Sequence, residues 1–191
     1  MKPYSIHKVC AICYHDLELY EKAVKVWRCD GLKLDFVDSF KISPDTPTYA
    51  DGWDTLSLND GLNKLMTEIV QKLRTVNPDV MIEFRQRYVG PAMRKYGNML
   101  RVMDCPLDAI INRCASVDMR LVSGQSAIHS DMIMWNPNDA VESAAIQIIS
   151  TLFCVPQVSV MIDKIPESHR KMLDFYLHFW RENRDTLLDG K

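Results

Sequence analysis

Apolar residues recur at two different spacings along this chain, and the spacings take turns. Between residues 15 and 28 they fall three or four apart. Leu17, Tyr20, Val24 and Trp27 share a face, and Glu18, Glu21, Lys22, Lys25 and Arg28 lie elsewhere. That is the period of a helix with one buried stripe. From Gly31 to Phe36 the period drops to two. Leu32, Leu34 and Phe36 alternate with Lys33 and Asp35, which predicts a strand with one apolar face and one face carrying a cation and an anion. Residues 41–56 show neither period. They are rich in Pro, Thr and Asp and longer than a plain connector needs, so a functional loop is expected there. Ser57-Leu58-Asn59-Asp60 reads as a helix start, and Leu58, Leu62, Leu65, Ile69, Leu73 and Val76 continue the stripe to Asn77-Pro78, a natural stop.

The same alternation continues downstream. Val80, Ile82 and Phe84 mark a strand over 80–85, and a short one follows near Met99–Met103, ending at Asp104. Pro106 is expected to open a helix to about Val117. Residues 126–134 read as a strand with His129 and Asp131 on one face. Asn138 would cap a helix that turns Val141, Ala145, Ile148, Ile149 and Leu152 inward. Residues 155–162 form a β-branched strand, and Pro166 starts a last helix that ends at Gly190. That helix is expected to bury Met172, Leu173, Tyr176, Phe179, Trp180 and Leu187.

Strand–helix units in succession predict an α/β fold with a parallel sheet. Polar residues gather at the C-terminal ends of several strands: Asp35, Asp38, Glu83, Arg85, Asp104, His129 and Asp131. A (β/α) barrel of TIM type builds its active site at those ends. Such a barrel has eight strands and typically about 250 residues. This chain has 191 residues and five predicted strands. The expectation is one partial barrel domain over 1–191, the second part of a barrel that is cut or naturally truncated on both sides.

Composition narrows the function. The chain is 47% hydrophobic and 25% charged, with a formal net charge of −2 and a pI near 6.2. No basic run is present, so nucleic acid is not an expected partner. No apolar run reaches the length of a membrane span, and the N-terminus lacks the apolar core of a signal peptide. A cytoplasmic location is the simple reading. No G-x-G-x-x-G or phosphate-binding loop follows any strand. Six cysteines stand at 10, 13, 29, 105, 114 and 154, mostly in apolar surroundings, as reduced structural cysteines do. Cys10 and Cys13 form a single C-x-x-C beside His7 and His15. Four ligands so close together would struggle to close a tetrahedron, so local packing is expected there and no metal.

The strand at 31–36 carries the candidate chemistry. A lysine two residues before an aspartate favours the ionised carboxylate that a nucleophile requires. A buried Lys33–Asp35 pair without chemistry remains the plain alternative. His129 and Asp131 could bind a polar ligand or each other. Trp135 and Trp53 could each stack on a ligand face or simply pack. His169 and His178, on the last helix, read as surface or packing residues.

These residues resemble the catalytic barrel of family 36 glycoside hydrolases, the bacterial α-galactosidase (melibiase) group, from about Tyr14 to Lys191. In that family the fourth strand carries Lys-x-Asp, whose Asp is the nucleophile, and Lys33-Leu34-Asp35 matches it. The following residues depart, with Phe36-Val37-Asp38 where the family often reads Met-Asn-Arg. Arg101-Val102-Met103-Asp104, with Asp108 to Arg113 after it, is similar to the element bearing the acid/base Asp. Glu83 to Pro91 replaces the family's glycine-rich, cysteine-bearing loop, and His129 stands where a strand-seven histidine is common.

The resemblance implies a retaining α-glycosidase with Asp35 as nucleophile and Asp104 as acid/base. Lys33, Asp38, Arg85, His129, Asp131 and Trp135 would hold the sugar. It implies an α-linked glycoside or oligosaccharide as substrate and no metal or organic cofactor. Apolar Met103, Cys105 and Pro106 beside Asp104 would help to keep its proton. The competing expectation is a non-catalytic remnant or barrel fragment. Its unpaired sheet edges would favour self-association into a homo-oligomer.

Overall fold

A computed structural model describes residues 17–35, 37, 57–85, 89–104 and 107–190. His7, Cys10, Cys13, His15, Phe36, Asp38, Cys105, Pro106 and the loop 41–56 with Trp53 lie outside the described residues. The chain divides into two compact units, residues 1–88 with 92–98 and residues 89–91 with 99–191. Among the described residues there are five strands, and the pairings within each unit are parallel, so the class is α/β as the alternation predicts.

The first unit holds helix α1 (residues 17–25), β1 (Gly31–Lys33), α2 (Leu58–Val76) and β2 (Met81–Phe84). α2 starts where the sequence places it. The extended Ser57 accepts a hydrogen bond from the Asp60 N–H at 3.1 Å, satisfying one donor that the first turn leaves open. It stops at Asn77, ahead of Pro78, and buries Leu58, Leu65, Ile69 and Leu73, together with Met66 and Val70. β1 is shorter than the predicted 31–36, although the Leu34 N–H still reaches the Glu83 carbonyl at 3.1 Å. A Cβ on Gly31 would lie 2.5 Å from the Met81 carbonyl oxygen, so only glycine permits this approach to β2. Trp27, expected on the buried face of α1, is exposed because the helix ends at residue 25.

Asn98 completes β2 by side-chain mimicry of a strand. Its Oδ1 accepts from the Ile82 N–H at 2.9 Å, its Nδ2 donates to the Val80 carbonyl at 3.1 Å, and its own N–H donates to the Ile82 carbonyl. Ile82 is fully buried, so its N–H has no recourse to water. Asn98→Ala is therefore expected to cost about 1–3 kcal/mol, the penalty for an orphaned backbone donor. Urea unfolding would show it, and an unchanged midpoint would count against this role.

The second unit holds β3 (Met99–Arg101), α3 (Ala109–Ser123), β4 (Ala127–Ile133), α4 (Val141–Ile149), β5 (Val155–Val158) and α5 (Glu167–Asp189). β4 lies between β3 and β5, and Arg101 stands opposite His129. The ladder to β5 is irregular between His129 and Met132. There the Ser130 hydroxyl accepts from the Gln157 N–H at 2.8 Å, taking a place that a carbonyl would fill in a regular ladder. This breaks the simple alternation predicted for β4, and His129, Ser130 and Asp131 are all buried.

Three local expectations are corrected. α3 begins at Ala109, not at Pro106, because Asp108 accepts from the Ile111 N–H at 2.9 Å, and it runs to Ser123. α4 has Ala140 at its N-cap, while Asn138 sits in the preceding turn and donates its N–H to Asn136 Oδ1. Phe179 of α5 is 39% exposed. The core gathers Ile133, Trp135, Ala144, Ile148, Ile165 and Leu173, with Met172 and Tyr176 against it. Gly190, at φ 68°, ends α5 in the left-handed region that glycine favours. Among the described residues no helix is long and apolar enough to cross a membrane.

Candidate functional site

The strand ends carry two clusters of charge, one in each unit. In the first, β1 delivers Lys33 and Asp35, and β2 delivers Arg85 just past its last paired residue. Parallel register sets Lys33 beside Glu83, so the residues two further along each strand meet. Arg85 Nη1 is shared between both Asp35 oxygens, at 3.2 and 3.1 Å, and Lys33 Nζ lies 3.5 Å from Oδ2. One carboxylate thus faces two cations while remaining partly open to solvent.

In the second unit, Arg101 at the end of β3 meets Asp131 of β4 at 3.1 Å and Asp104 at 3.5 Å. The Arg101 side chain is 8% exposed and that of Asp131 0%, whereas Asp104 is 50% exposed. Burial pushes the Asp131 carboxyl above its ordinary 3.8. The Met132 N–H and the Arg101 charge pull it down, and the nearby Asp104 carboxyl adds to the rise. The carboxyl that burial raises is therefore one that the family resemblance marks for sugar binding and not for proton transfer. His129 lies beside the pair, buried, with Nδ1 2.7 Å from the Ser130 carbonyl. A carbonyl can only accept, so Nδ1 carries the proton of that bond.

The structure brings Lys33, Asp35 and Arg85 together, and separately Arg101, Asp104 and Asp131 with His129 alongside. Asp38 lies outside the described residues. Trp135 does not join either cluster, which corrects its placing as a sugar platform. It is buried in the core of the second unit, and its Nε1–H donates to His169 Nδ1 at 3.1 Å. His169 is itself buried and pairs through Nε2 with the Asp139 carbonyl. Arg101 is the residue that sequence reasoning left unassigned. Its signal was a charge within the apolar run Met99-Leu100-Arg101-Val102, which demands a buried partner.

Among the described residues no group of three or more His, Cys, Asp or Glu is placed to hold a metal ion. A groove of about 550 Å³ lies between α1 and α2, lined by Glu18, Glu21, Lys72 and their neighbours and not by Lys33, Asp35 or Arg85. Cys154 is buried against Ser116 and Thr151, and burial pushes its thiol up to about 11. Cys114 is exposed. At pH 8 iodoacetamide is expected to alkylate Cys114 in the native protein and leave Cys154 untouched, because the thiolate is the reacting species. Peptide mass spectrometry reads this, and equal modification of both would contradict the burial of Cys154.

Comparison with family models, with curated proteins and with solved structures returns no match. The reading of function therefore stands on this chain's own residues.

Proposed function

We propose that the chain is catalytic barrel sequence of a retaining α-glycosidase, most nearly an α-galactosidase, acting on terminal α-galactosides. The observation that carries this reading is Asp35, held by Arg85 and Lys33 at the ends of two paired parallel strands. Opposite charges at such distances favour the anion, the form in which a carboxylate attacks an anomeric carbon. In this reading Asp35 forms the glycosyl-enzyme as the glycosidic bond breaks, and Asp104 gives a proton to the leaving oxygen. Asp104 then takes a proton from the water that releases the sugar. Lys33, Arg85, His129 and Asp38 are proposed as sugar-binding residues, and Asp131, wholly buried, as a support behind them. No cofactor enters the scheme.

A second reading, a non-catalytic barrel piece, is favoured by one observation. α3 carries Ile110, Val117 and Leu121 at helical spacing, and they are 74%, 41% and 79% exposed. Such a stripe is ordinarily covered. A panel of p-nitrophenyl α-glycosides separates the readings. The glycosidase reading expects turnover of the α-galactoside, with the α-anomer of galactose as first product by proton NMR. Release of the β-anomer would remove the retaining mechanism, and no turnover of any member would favour the second reading.

A further inference from the structure

Helix α3 is built inside out. It packs against β4, and the residues it buries are Asn112, Ser116, Met119 and Ser123, three of them polar. Ile110, Cys114, Val117 and Leu121 are exposed. The two sets are offset by two residues, about half a turn, so the exposed set lies on the opposite face. A surface helix ordinarily sets its apolar stripe against the core and its polar face outward. Among the described residues none covers the outer stripe of α3.

The spacing along that stripe is four, three and four. That is the rhythm of the seam in a two-stranded coil, where the seam residues of one helix seat between those of the other. Arg113 and Arg120 flank this seam on one side, and Ile111 and Asp118 flank it on the other. Arg113 and Asp118 are both exposed. In a parallel pair, a residue on the first flank meets the residue five further along on the second flank of its neighbour. Arg113 then meets Asp118 of a second copy, and two-fold symmetry repeats the contact. An antiparallel pair would instead set Arg113 against Arg120 on each copy, like charge on like. The flanking charges thus fit a second copy of the same helix, in one orientation.

We propose that α3 is a self-association surface. Two copies of the chain pair in parallel along the seam of Ile110, Cys114, Val117 and Leu121, with Arg113 of each facing Asp118 of the other. The inference goes beyond the proposed function and holds whether or not the chain turns over a glycoside. The surface is also distinct from the sheet edges, where the sequence reading places self-association. α3 has 15 residues, about 22 Å of helix, and Leu107 ahead of it and Val122 near its end add exposed apolar surface. A single helix of that length offers well under the roughly 800 Å² per partner of a standard interface, so the dimer is expected to be weak and reversible.

The test is sedimentation equilibrium of the full chain from dilute to millimolar protein. Wild type is expected to pass from monomer to dimer as concentration rises. Leu121→Lys places a charge in the seam and should weaken the dimer by about tenfold or more. Arg113→Asp and Asp118→Arg each set like charges across the seam and should weaken it as well. Mixed together, these two variants should pair with each other, because one then carries only acids at the two positions and the other only arginines. All three positions are exposed, so dilute variants should keep the wild-type unfolding midpoint. The reaction of Cys114 with iodoacetamide belongs to the dilute monomer and should slow as the protein is concentrated. A wild type that stays monomeric at every concentration overturns the proposal and leaves α3 to a different cover. A dimer indifferent to Leu121→Lys and to both charge variants overturns it too, and places the contact elsewhere on the chain. Association lost in the charge variants and not regained on mixing overturns the parallel pairing.

Discussion

Arg101→Met is expected to destabilise the second unit by about 3–5 kcal/mol at pH 7, the usual result of leaving a buried charge without its partner. The argument starts from burial. Asp131 is wholly enclosed, and Arg101 is the cation within 3.1 Å of it. Methionine fills much of the same space, so the loss is electrostatic and not a cavity effect. The sign of the pH dependence follows from linkage. Burial holds the Asp131 carboxyl above its ordinary 3.8, so the native state keeps a proton that the unfolded chain has lost. The stability that this proton carries is complete below about pH 3.8 and is lost as pH rises through the native value. Arg101 opposes the rise. Without it the native value climbs further, and the deficit of Arg101→Met against wild type should be smaller at pH 4 than at pH 7. Urea unfolding at the two pH values measures this. The double variant Arg101→Met with Asp131→Leu should recover most of the loss, since removing both charges removes the desolvation cost with them. A single-variant loss under about 1 kcal/mol, the scale of a surface ion pair, would mean that Asp131 is not effectively buried.

Asp35→Asn is expected to reduce kcat/KM on an aryl α-galactoside by about a thousandfold or more, as loss of a covalent nucleophile does in other hydrolases. The amide keeps the shape and can still accept from Arg85 through its oxygen. Only the negative charge and the nucleophilic lone pair go. Folding should change little, because the site is partly exposed and such ion pairs contribute modestly. The informative result is therefore the combination of a near wild-type unfolding midpoint with absent turnover. Retained activity would remove Asp35 from the chemistry and leave its two cations a structural role.

Much of the fold was legible because its signals are local. Ser57 with Asp60, and Gly190 after α5, are contacts within one turn, and they end the helices where the sequence predicts. Lys33 and Asp35 are two apart at the end of β1, and their pairing could be read directly. The features that stayed hidden join distant residues or depend on irregular backbone. Arg101 and Asp131 stand 30 residues apart and meet only through parallel register. Trp135 looked like a ligand platform because nothing nearby announces His169, 34 residues on. Ser130 could not be foreseen as a ladder acceptor, because the irregularity between β4 and β5 follows from how the two strands align. Asp108 was readable in principle as a cap, but Pro106 gave the more familiar signal.

The two tryptophan contacts of α5 restrict how that helix can leave its seat. Trp135 donates to His169 in the first turns, and Trp180 donates to the Cys154 carbonyl further along. Eleven residues of helix separate the two anchor points, about 16 Å along the axis. A rod fixed at one point can pivot or slide, and a rod fixed at two can do neither. Any pivot or slide of α5 from its seat therefore breaks at least one of the two indole bonds.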